Sequence, residues 1–369
     1  MLRFGLTRRT LLTAALLAGC SRKLAPRFSG RLFTASAGAR GIAVADLSEF
    51  RHMLTIPLDH VPSQVIGTPT AVFATCPDGR TLVKIDVDKL TVSAKALFNG
   101  RIVSATATPD ARRIVVAIDQ PPMLCVVDVE HARIDQRIPL PVTPAAVDAT
   151  DTMVAVVSAD GDGLTRVSLA QGRVVGTTAT GSKGGPVMFR KDGNALLLGQ
   201  PAAKAIVTVD AASGTVVTRL SLPFPPMWFA VNADGGQVFV SGSPDDAIAI
   251  VNTYQMEVDQ TIIGGRTPRG MAVAPNRNLL LLANPPSGDV TVLDIETRKL
   301  AASVHVGGEP GQILVTPDEE YALVFNDSGD VAVFRMQTVL DKKNKTKPLF
   351  TMFSTGAAPQ SAVIVPVPA

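Results

Sequence analysis

Hydrophobic and polar positions follow one pattern that returns eight times along the chain. A short run of aliphatic and β-branched residues ends in a polar residue, as in residues 42–46 and 82–86. The residues that close the eight runs are Asp46, Asp86, Asp128, Ser168, Asp210, Asn252, Asp294 and Arg335. They are spaced 40 to 42 residues apart, and a repeat of this length with short strands is typical of a propeller blade. The sequence therefore predicts an all-β, eight-bladed β-propeller.

Each repeat divides into four predicted strands, which we label A to D from the channel axis outward. In the third unit these are residues 102–107, 113–118, 124–128 and 134–140. Asp, Gly and Pro residues at the turns separate the strands. Because stacked blades share one closed ring, residues 31–369 are predicted to form a single domain.

The two ends of the chain carry complementary parts of one blade. The first unit begins at residues 31–34 with a B strand and has no A strand, whereas residues 361–365 form a lone A strand after the last D strand. An unpaired edge strand favours aggregation, and closure removes it. We therefore expect the terminal strand to complete the first blade. A seven-bladed ring is the alternative, if the first unit packs elsewhere.

Residues 1–19 have the features of a signal peptide rather than of a blade. Their apolar run, residues 11–17, is too short to span a bilayer. It leads into Leu17-Ala18-Gly19-Cys20, which resembles the lipobox of bacterial lipoproteins. The resemblance implies lipid attachment at Cys20 and a lipidated tether over residues 20–30. The alternative is an ordinary secretory signal in which Cys20 is incidental.

The segment around Arg8 and Arg9 resembles a twin-arginine export signal; the alternative is a basic region that happens to hold two arginines. Export with a lipid anchor predicts a location on the periplasmic side of a bacterial envelope. Ser21 follows Cys20, and a serine at this position resembles the sorting signal that directs lipoproteins to the outer membrane of a Gram-negative cell.

The net charge changes once the signal peptide is set aside. The full chain holds 35 basic and 32 acidic side chains, and residues 1–19 contain three arginines and no acid. The mature chain is therefore neutral, which gives no electrostatic reason to expect nucleic-acid binding. Two cysteines remain, Cys76 and Cys125, for which we predict buried free thiols; a disulfide is the alternative.

Linkers between the later units carry a recognisable motif. Residues 264–273 read Gly-Gly-Arg-Thr-Pro-Arg-Gly-Met-Ala-Val, and residues 307–315 have a similar Gly-Gly start. Together with residues 282–294, they resemble the YVTN-repeat family of bacterial and archaeal propellers. The resemblance implies a secreted or surface protein, and it brings in two related groups, the lactonase-type propellers and a haem-binding propeller of a denitrifying cytochrome. WD-repeat and quinoprotein propellers fit less well, because Trp228 is the single tryptophan.

No constellation in the sequence points to a catalytic centre or a metal. The four histidines, His52, His60, His131 and His305, lack metal-ligand spacing. The recurring Asp residues are predicted to cap turns, and residues 160–163 are interpreted as a hairpin turn rather than a calcium loop. We therefore expect no cofactor. A basic connection with Lys342, Lys343, Lys345 and Lys347 could meet an acidic partner or lipid headgroups, or be a solvated loop.

The mouth of the axial channel is the remaining candidate surface, because linkers from different blades converge there. The polar residues predicted at this mouth are Gln64, Arg101, Lys183, Arg266, Arg269, Gln312 and Gln360. Their basic and amide character favours an anionic or peptide ligand, and ordinary rim polarity is the alternative. The sequence thus predicts a non-enzymatic envelope lipoprotein that binds a protein partner or small ligand. A lactonase-like or redox-associated propeller is the alternative function.

Overall fold

The computed structural model describes residues 28–242, 246–340, 348–356 and 359–367. The predicted export and lipidation residues Arg8, Arg9 and Cys20, and the basic connection at residues 341–347, lie outside the described residues. Within the described part of the chain, no helix is long and apolar enough to cross a membrane.

Eight four-stranded antiparallel sheets form the ring. The first three blades contain β1 (Gly30–Ser36), β2 (Gly41–Asp46), β3 (Arg51–Pro57), then β4 (Gln64–Gly67), β5 (Ala71–Cys76), β6 (Thr81–Asp86), β7 (Thr91–Leu97), then β8 (Ile102–Ala107), β9 (Arg113–Ile118), β10 (Met123–Asp128) and β11 (Ile134–Pro139). Blades 4 and 5 contain β12 (Pro144–Ala149), β13 (Met153–Ser158), β14 (Gly163–Ser168), β15 (Arg173–Ala179), then β16 (Val187–Phe189), β17 (Ala195–Gln200), β18 (Ala205–Asp210) and β19 (Val216–Ser221).

The last three blades follow the same order. They contain β20 (Trp228–Val231), β21 (Gln237–Ser241), β22 (Ala247–Asn252), β23 (Glu257–Ile263), then β24 (Met271–Ala274), β25 (Leu279–Asn284), β26 (Asp289–Asp294), β27 (Lys299–His305), then β28 (Pro310–Val315), β29 (Tyr321–Asn326), β30 (Asp330–Arg335) and β31 (Leu349–Ser354). Two 3₁₀ helices, Pro275–Arg277 and Pro285–Ser287, lie in turns of blade 7, and helix α1 (Met336–Leu340) follows β30.

The terminal strand β32 (Pro359–Pro366) completes the first blade. It pairs antiparallel with β1, with Phe33 opposite Val363 and Leu32 opposite Ile364. The predicted eight-bladed ring and its closure are confirmed, and the seven-bladed alternative is wrong because the first unit lies in the ring. Each C strand ends at the polar residue by which the repeat was recognised.

Burial follows the position of each strand within its blade. The B strand β17 is buried at every residue, because both of its faces pack against neighbouring blades. The D strand β7 alternates between exposed and less exposed positions, because its outer side meets solvent. The hydrophobic clusters accordingly join adjacent blades, as where Leu197 of blade 5 packs with Val238 and Phe224 of blade 6.

The Asp residues that close C strands cap the following turns, as predicted. The Asp86 carboxylate accepts the backbone N–H groups of Asp88 and Lys89 at 3.0 and 2.9 Å. The Asp210 carboxylate accepts the N–H of Ser213 at 2.7 Å. Hydrogen bonding from these N–H groups lowers the pKa of Asp86 and of Asp210. The recurrence of Asp therefore serves the blade.

Cys76 and Cys125 are buried free thiols, which confirms the prediction and excludes the disulfide between them. Burial raises the pKa of both thiols to about 11. The protonated form dominates at neutral pH, so both cysteines act as small apolar side chains.

The A strands contact one another around the axis and define two ends of the channel. We call the end where A strands begin the mouth, and the end where they finish the base. The D–A linkers and B–C turns lie at the mouth, and the A–B and C–D turns lie at the base. Gly30 pairs with Pro366, so the chain enters its first described strand at the base.

Candidate functional site at the channel mouth

A pocket of about 430 Å³ opens at the mouth across four consecutive blades. The starts of β20, β24, β28 and β32 supply its walls. Its lining residues are Trp228, Phe229, Arg269, Gly270, Met271, Gly311, Gln312, Gln360 and Ser361. The lining combines an aromatic wall with one cation, two amides and a hydroxyl, which is a composition that suits ligand binding.

The backbone of blade 7 holds Arg269 at the rim of this pocket. The N–H of Arg269 donates to the Ala283 carbonyl at 3.0 Å, and the N–H of Ala283 donates to the Gly270 carbonyl at 2.9 Å. The Arg269 side chain is exposed, and within the described residues no carboxylate forms an ion pair with its guanidinium. Arg269 is therefore available to an anionic group.

Gly270 brings blades 7 and 8 unusually close together. A Cβ placed on Gly270 would lie 1.9 Å from the carbonyl oxygen of Gly311. Only glycine allows two backbones to approach in this way. The contact fixes the position of Arg269, the preceding residue, relative to blade 8.

The structure brings three of the seven predicted mouth residues together, namely Arg269, Gln312 and Gln360. Gln64 lies on the A strand of blade 2, and its amide donates to the Ala105 carbonyl at 2.9 Å. Arg101 lies at the rim of blades 2 and 3, with its Nε 3.6 Å from an Asp78 carboxylate oxygen.

Lys183 and Arg266 lie in exposed D–A linkers and do not line the pocket. Sequence reasoning did not assign Trp228 to the mouth, although it is the single tryptophan. The signal that could have placed it there was its position at the start of an A strand.

One position of the A strand links each blade to the next. To find this linking position in a blade, we start from the residue four positions before the end of the C strand. The B-strand residue opposite it is identified next, and the A-strand residue paired with that B-strand residue is the linking position. From blade 1 to blade 8 it is occupied by Ser361, Gln64, Ser104, Ala146, Pro186, Trp228, Gly270 and Gln312.

Polar residues at the linking position cap the inner edge of the next A strand. The Gln312 amide accepts the N–H of Ala362 at 2.9 Å and donates to its carbonyl at 3.1 Å. Ser361 accepts the N–H of Val65 at 3.2 Å, and Ser104 accepts the N–H of Val147 at 3.3 Å. With the Gln64 bond to Ala105, these contacts satisfy backbone groups that an inner edge strand would otherwise leave open.

The remaining four blades have no such side chain at the linking position. Ala146, Pro186 and Gly270 cannot cap, and Trp228 carries an indole that can donate but cannot accept. Among the described residues, no side chain bonds to the inner-edge backbone groups of Phe229, Met271 or Ile313. The pocket thus lies in the uncapped sector of the ring.

Asp148 supplies a different contact between blades 4 and 5. Its carboxylate accepts the N–H of Phe189 at 2.7 Å. Burial raises the pKa of Asp148, and the hydrogen bond from Phe189 opposes that shift only in part. This carboxyl lies in the wall of the channel, two residues beyond the linking position, and does not line the mouth pocket.

The other described cavities differ from the mouth in chemistry. A cavity of about 490 Å³ at the base is lined by the ends of β4 and β32, including Val363, Ile364 and Val365, and is largely apolar. No group of His, Cys, Asp or Glu side chains within the described ranges has metal-binding geometry. The histidines lie where the repeat predicted: His52 and His305 in D strands, His131 in a C–D turn and His60 in a D–A linker.

No protein-family model and no curated protein matches this chain. Many solved structures share its fold, among them the following three. Dihydro-heme d1 dehydrogenase NirN in complex with DHE aligns with a TM-score of 0.70 and 17% identity, over 89% of this chain and 76% of that chain. A functionally unknown protein from Desulfotomaculum acetoxidans aligns with a TM-score of 0.61 and 16% identity, over 76% of this chain and 96% of that one.

The third structure is Kuenenia stuttgartiensis hydrazine synthase, with a TM-score of 0.56 and 17% identity, over 74% of this chain and 95% of that chain. Identities this low show likeness of fold alone, because propellers host unrelated activities. The resemblance to the YVTN-repeat family therefore stays a prediction from the sequence.

Proposed function

We propose that this protein is an exported, lipid-anchored propeller that binds a ligand or an envelope partner at the channel mouth. The observation that carries this proposal is the uncapped sector, where the single tryptophan and Arg269, which pairs with none of the described carboxylates, line one pocket. The pocket lining contains no carboxylate, imidazole or thiol. Its groups can hold an anion and hydrogen-bond a ligand, and they supply no acid–base pair for hydrolysis.

Capture from solubilised envelope tests the proposed binding. The wild-type mature protein serves as bait beside Arg269→Glu, which reverses the charge at the pocket rim. Arg101→Glu is the matched control, because Arg101 is exposed on the same end of the ring but outside the pocket. We expect a partner that wild type and the Arg101 variant retain and the Arg269 variant loses. Equal capture by all three would rule out the mouth as the binding surface.

The alternative function, a lactonase-like or redox-associated propeller, has its own readouts. Turnover of a panel of lactones, or a visible absorbance band from the purified protein, would favour it over a binding role. Two of the structural neighbours described above are named as enzymes. Their sequence identity to this chain is too low for their activities to be assigned to it.

Export and anchoring are tested separately from binding. Cys20→Ala should release the protein from membranes, and metabolic labelling with a fatty-acid analogue should lose its signal in this variant. Replacing Arg8 and Arg9 together by lysine should block export if the twin-arginine route is used. Unchanged export of that double variant would point to the general secretory route.

A further inference from the structure

The chemistry of the mouth pocket narrows the class of ligand, on the premise that the proposed function is correct. Phe229 of blade 6 and Met271 of blade 7 line the pocket. The linking residue that faces Phe229 from the preceding blade is Pro186, and the one that faces Met271 is Trp228. In blades 1 to 4, the corresponding backbone groups receive side-chain hydrogen bonds from the preceding blade. The pocket therefore presents open backbone donors and acceptors from adjacent strands.

A ligand for such a wall must itself carry both donors and acceptors. The amide groups of a peptide main chain meet this requirement, since each residue offers one N–H and one C=O. A simple anion could bind Arg269 and accept from the N–H groups of Phe229 and Met271, but it would leave their C=O groups without a donor.

Arg269 adds a charge requirement at the rim of the same wall. Its guanidinium is exposed and forms no ion pair with the described carboxylates, and it can bind a carboxylate through two parallel N–H···O bonds. Trp228, half-buried beside it, offers an aromatic surface for an apolar side chain. These three features together match the last residues of a polypeptide.

We infer that the channel mouth binds the free carboxyl terminus of a peptide. The terminal carboxylate contacts Arg269, the last amides bond to the inner-edge backbone of Phe229 and Met271, and an apolar side chain packs on Trp228.

The single tryptophan allows a direct test in the full mature protein. The probe is the acetylated tripeptide Ala-Ala-Leu with a free carboxylate, and the matched probe is its carboxamide. We expect saturable change in Trp228 fluorescence with the acid, and about 10- to 100-fold weaker binding of the amide, the range for losing one charged hydrogen bond. Arg269→Gln should remove this preference, whereas Arg101→Gln should keep it.

A second set of variants tests the open backbone itself, with binding measured by calorimetry. Trp228→Gln places at the linking position of blade 6 the residue found in blades 2 and 8, so it should cap Met271 and weaken peptide binding more than Trp228→Leu, which removes the ring without supplying a cap. Ala146→Gln makes the matched change in blade 4, outside the pocket, and should leave binding unchanged. Thermal unfolding of all three variants verifies that the propeller is intact.

The outcomes separate this inference from the function on which it rests. Acetate competing as strongly as the tripeptide would overturn the peptide assignment, and equal binding of acid and amide would overturn the role of Arg269. If no peptide binds while Arg269→Glu still loses an envelope partner, the inference fails and mouth binding stands. If no peptide binds and Arg269→Glu keeps every captured partner, both fail.

Discussion

Gln312 and Ala362 exchange two hydrogen bonds across the seam where the terminal strand meets blade 8. The side-chain oxygen of Gln312 accepts the N–H of Ala362 at 2.9 Å, and its nitrogen donates to the Ala362 carbonyl at 3.1 Å. One side chain thereby satisfies both backbone groups of a residue in the strand that closes the ring. The seam is thus held by β-pairing with β1 on one side and by Gln312 on the other.

Gln312→Ala should destabilise the fold by about 1 to 3 kcal/mol, because two half-buried backbone groups lose their partner. Gln312→Glu keeps the acceptor for the Ala362 N–H but turns a second acceptor oxygen towards the Ala362 carbonyl, so at neutral pH it should not restore the stability lost in the alanine variant. Denaturant unfolding gives the free energy of unfolding, and hydrogen exchange at Ala362 should accelerate most in the alanine variant. Unchanged exchange at Ala362 would contradict a role at the seam.

Gly270→Ala should be costly, because the new Cβ would lie 1.9 Å from the Gly311 carbonyl oxygen. Separating two backbones in a packed ring costs about 1 to 3 kcal/mol or more. Gly311→Ala is the matched control in the facing strand, where the nearest atom would be the Phe325 carbonyl oxygen at 3.8 Å. Melting temperatures of the two variants should differ clearly, and equal values would show that the blades can move apart freely.

Arg166 fastens the C–D turn of blade 5 from blade 4. It is 5% exposed, and its guanidinium donates to the carbonyls of Ala211, Ala212 and Ser213 at 2.9, 2.6 and 3.0 Å. Arg166→Met should therefore cost about 2 to 4 kcal/mol of unfolding free energy, since three carbonyls lose a charged donor.

Lys84 provides the control for Arg166, because it occupies the same place in the C strand of blade 2. It makes one bond, to the Glu130 carbonyl at 2.6 Å, in a more exposed setting. Lys84→Met should cost no more than about 1 kcal/mol. If Lys84→Met lost as much unfolding free energy as Arg166→Met, the number of carbonyls that the side chain bonds would not determine the loss of stability.

Asp148 and Asp210 should respond to pH in opposite directions. Burial raises the pKa of Asp148 in the fold, so its ionisation weakens the fold as pH rises through the normal carboxyl range and above it. Asp148→Asn removes this penalty, and its stability relative to wild type should improve between pH 3 and pH 7.

The Ser213 N–H lowers the pKa of Asp210, so Asp210 stabilises the fold above its unfolded pKa and loses that effect as pH falls through the folded pKa. Asp210→Asn should therefore be most destabilising near pH 7 and least at low pH. Thermal unfolding across this range measures both variants, and parallel curves for wild type and a variant would show that the carboxyl is not coupled to folding.

The sequence predicted the architecture well because the repeat is carried by residues that build it. Asp86, Asp128 and Asp210 close C strands and cap turns in blades 2, 3 and 5, so their spacing reports blade length directly. The missing first A strand and the lone segment at residues 361–365 predicted the closure that β32 makes. These features depend on local chemistry that recurs, which a single sequence reveals.

The pocket was less predictable because it depends on register and on departures from the repeat. Gln64 and Gln312 both lie near the start of an A strand, and each side chain bonds to the next blade. The register shift between Pro310 and Ile313 decides which residue faces which blade, and the sequence does not show it. Trp228 is a departure from the repeat, because blades 1, 2, 3 and 8 have a capping Ser or Gln at the same linking position. The sequence alone does not show that this departure leaves the next A strand uncapped.

If Cys20 carries the proposed lipid, the end of the channel at which the chain enters the ring determines which end lies nearer the membrane. Gly30 lies beside Pro366, at the opposite end of the channel from Trp228 and Arg269. Seven residues lie between Cys20 and Phe28, and the eight Cα–Cα steps between these two residues span at most about 29 Å when fully extended. With the proposed lipid on Cys20, the base of the channel would lie towards the bilayer and the mouth would face away from it. A ligand would then arrive from the aqueous compartment, without having to pass between the propeller and the membrane.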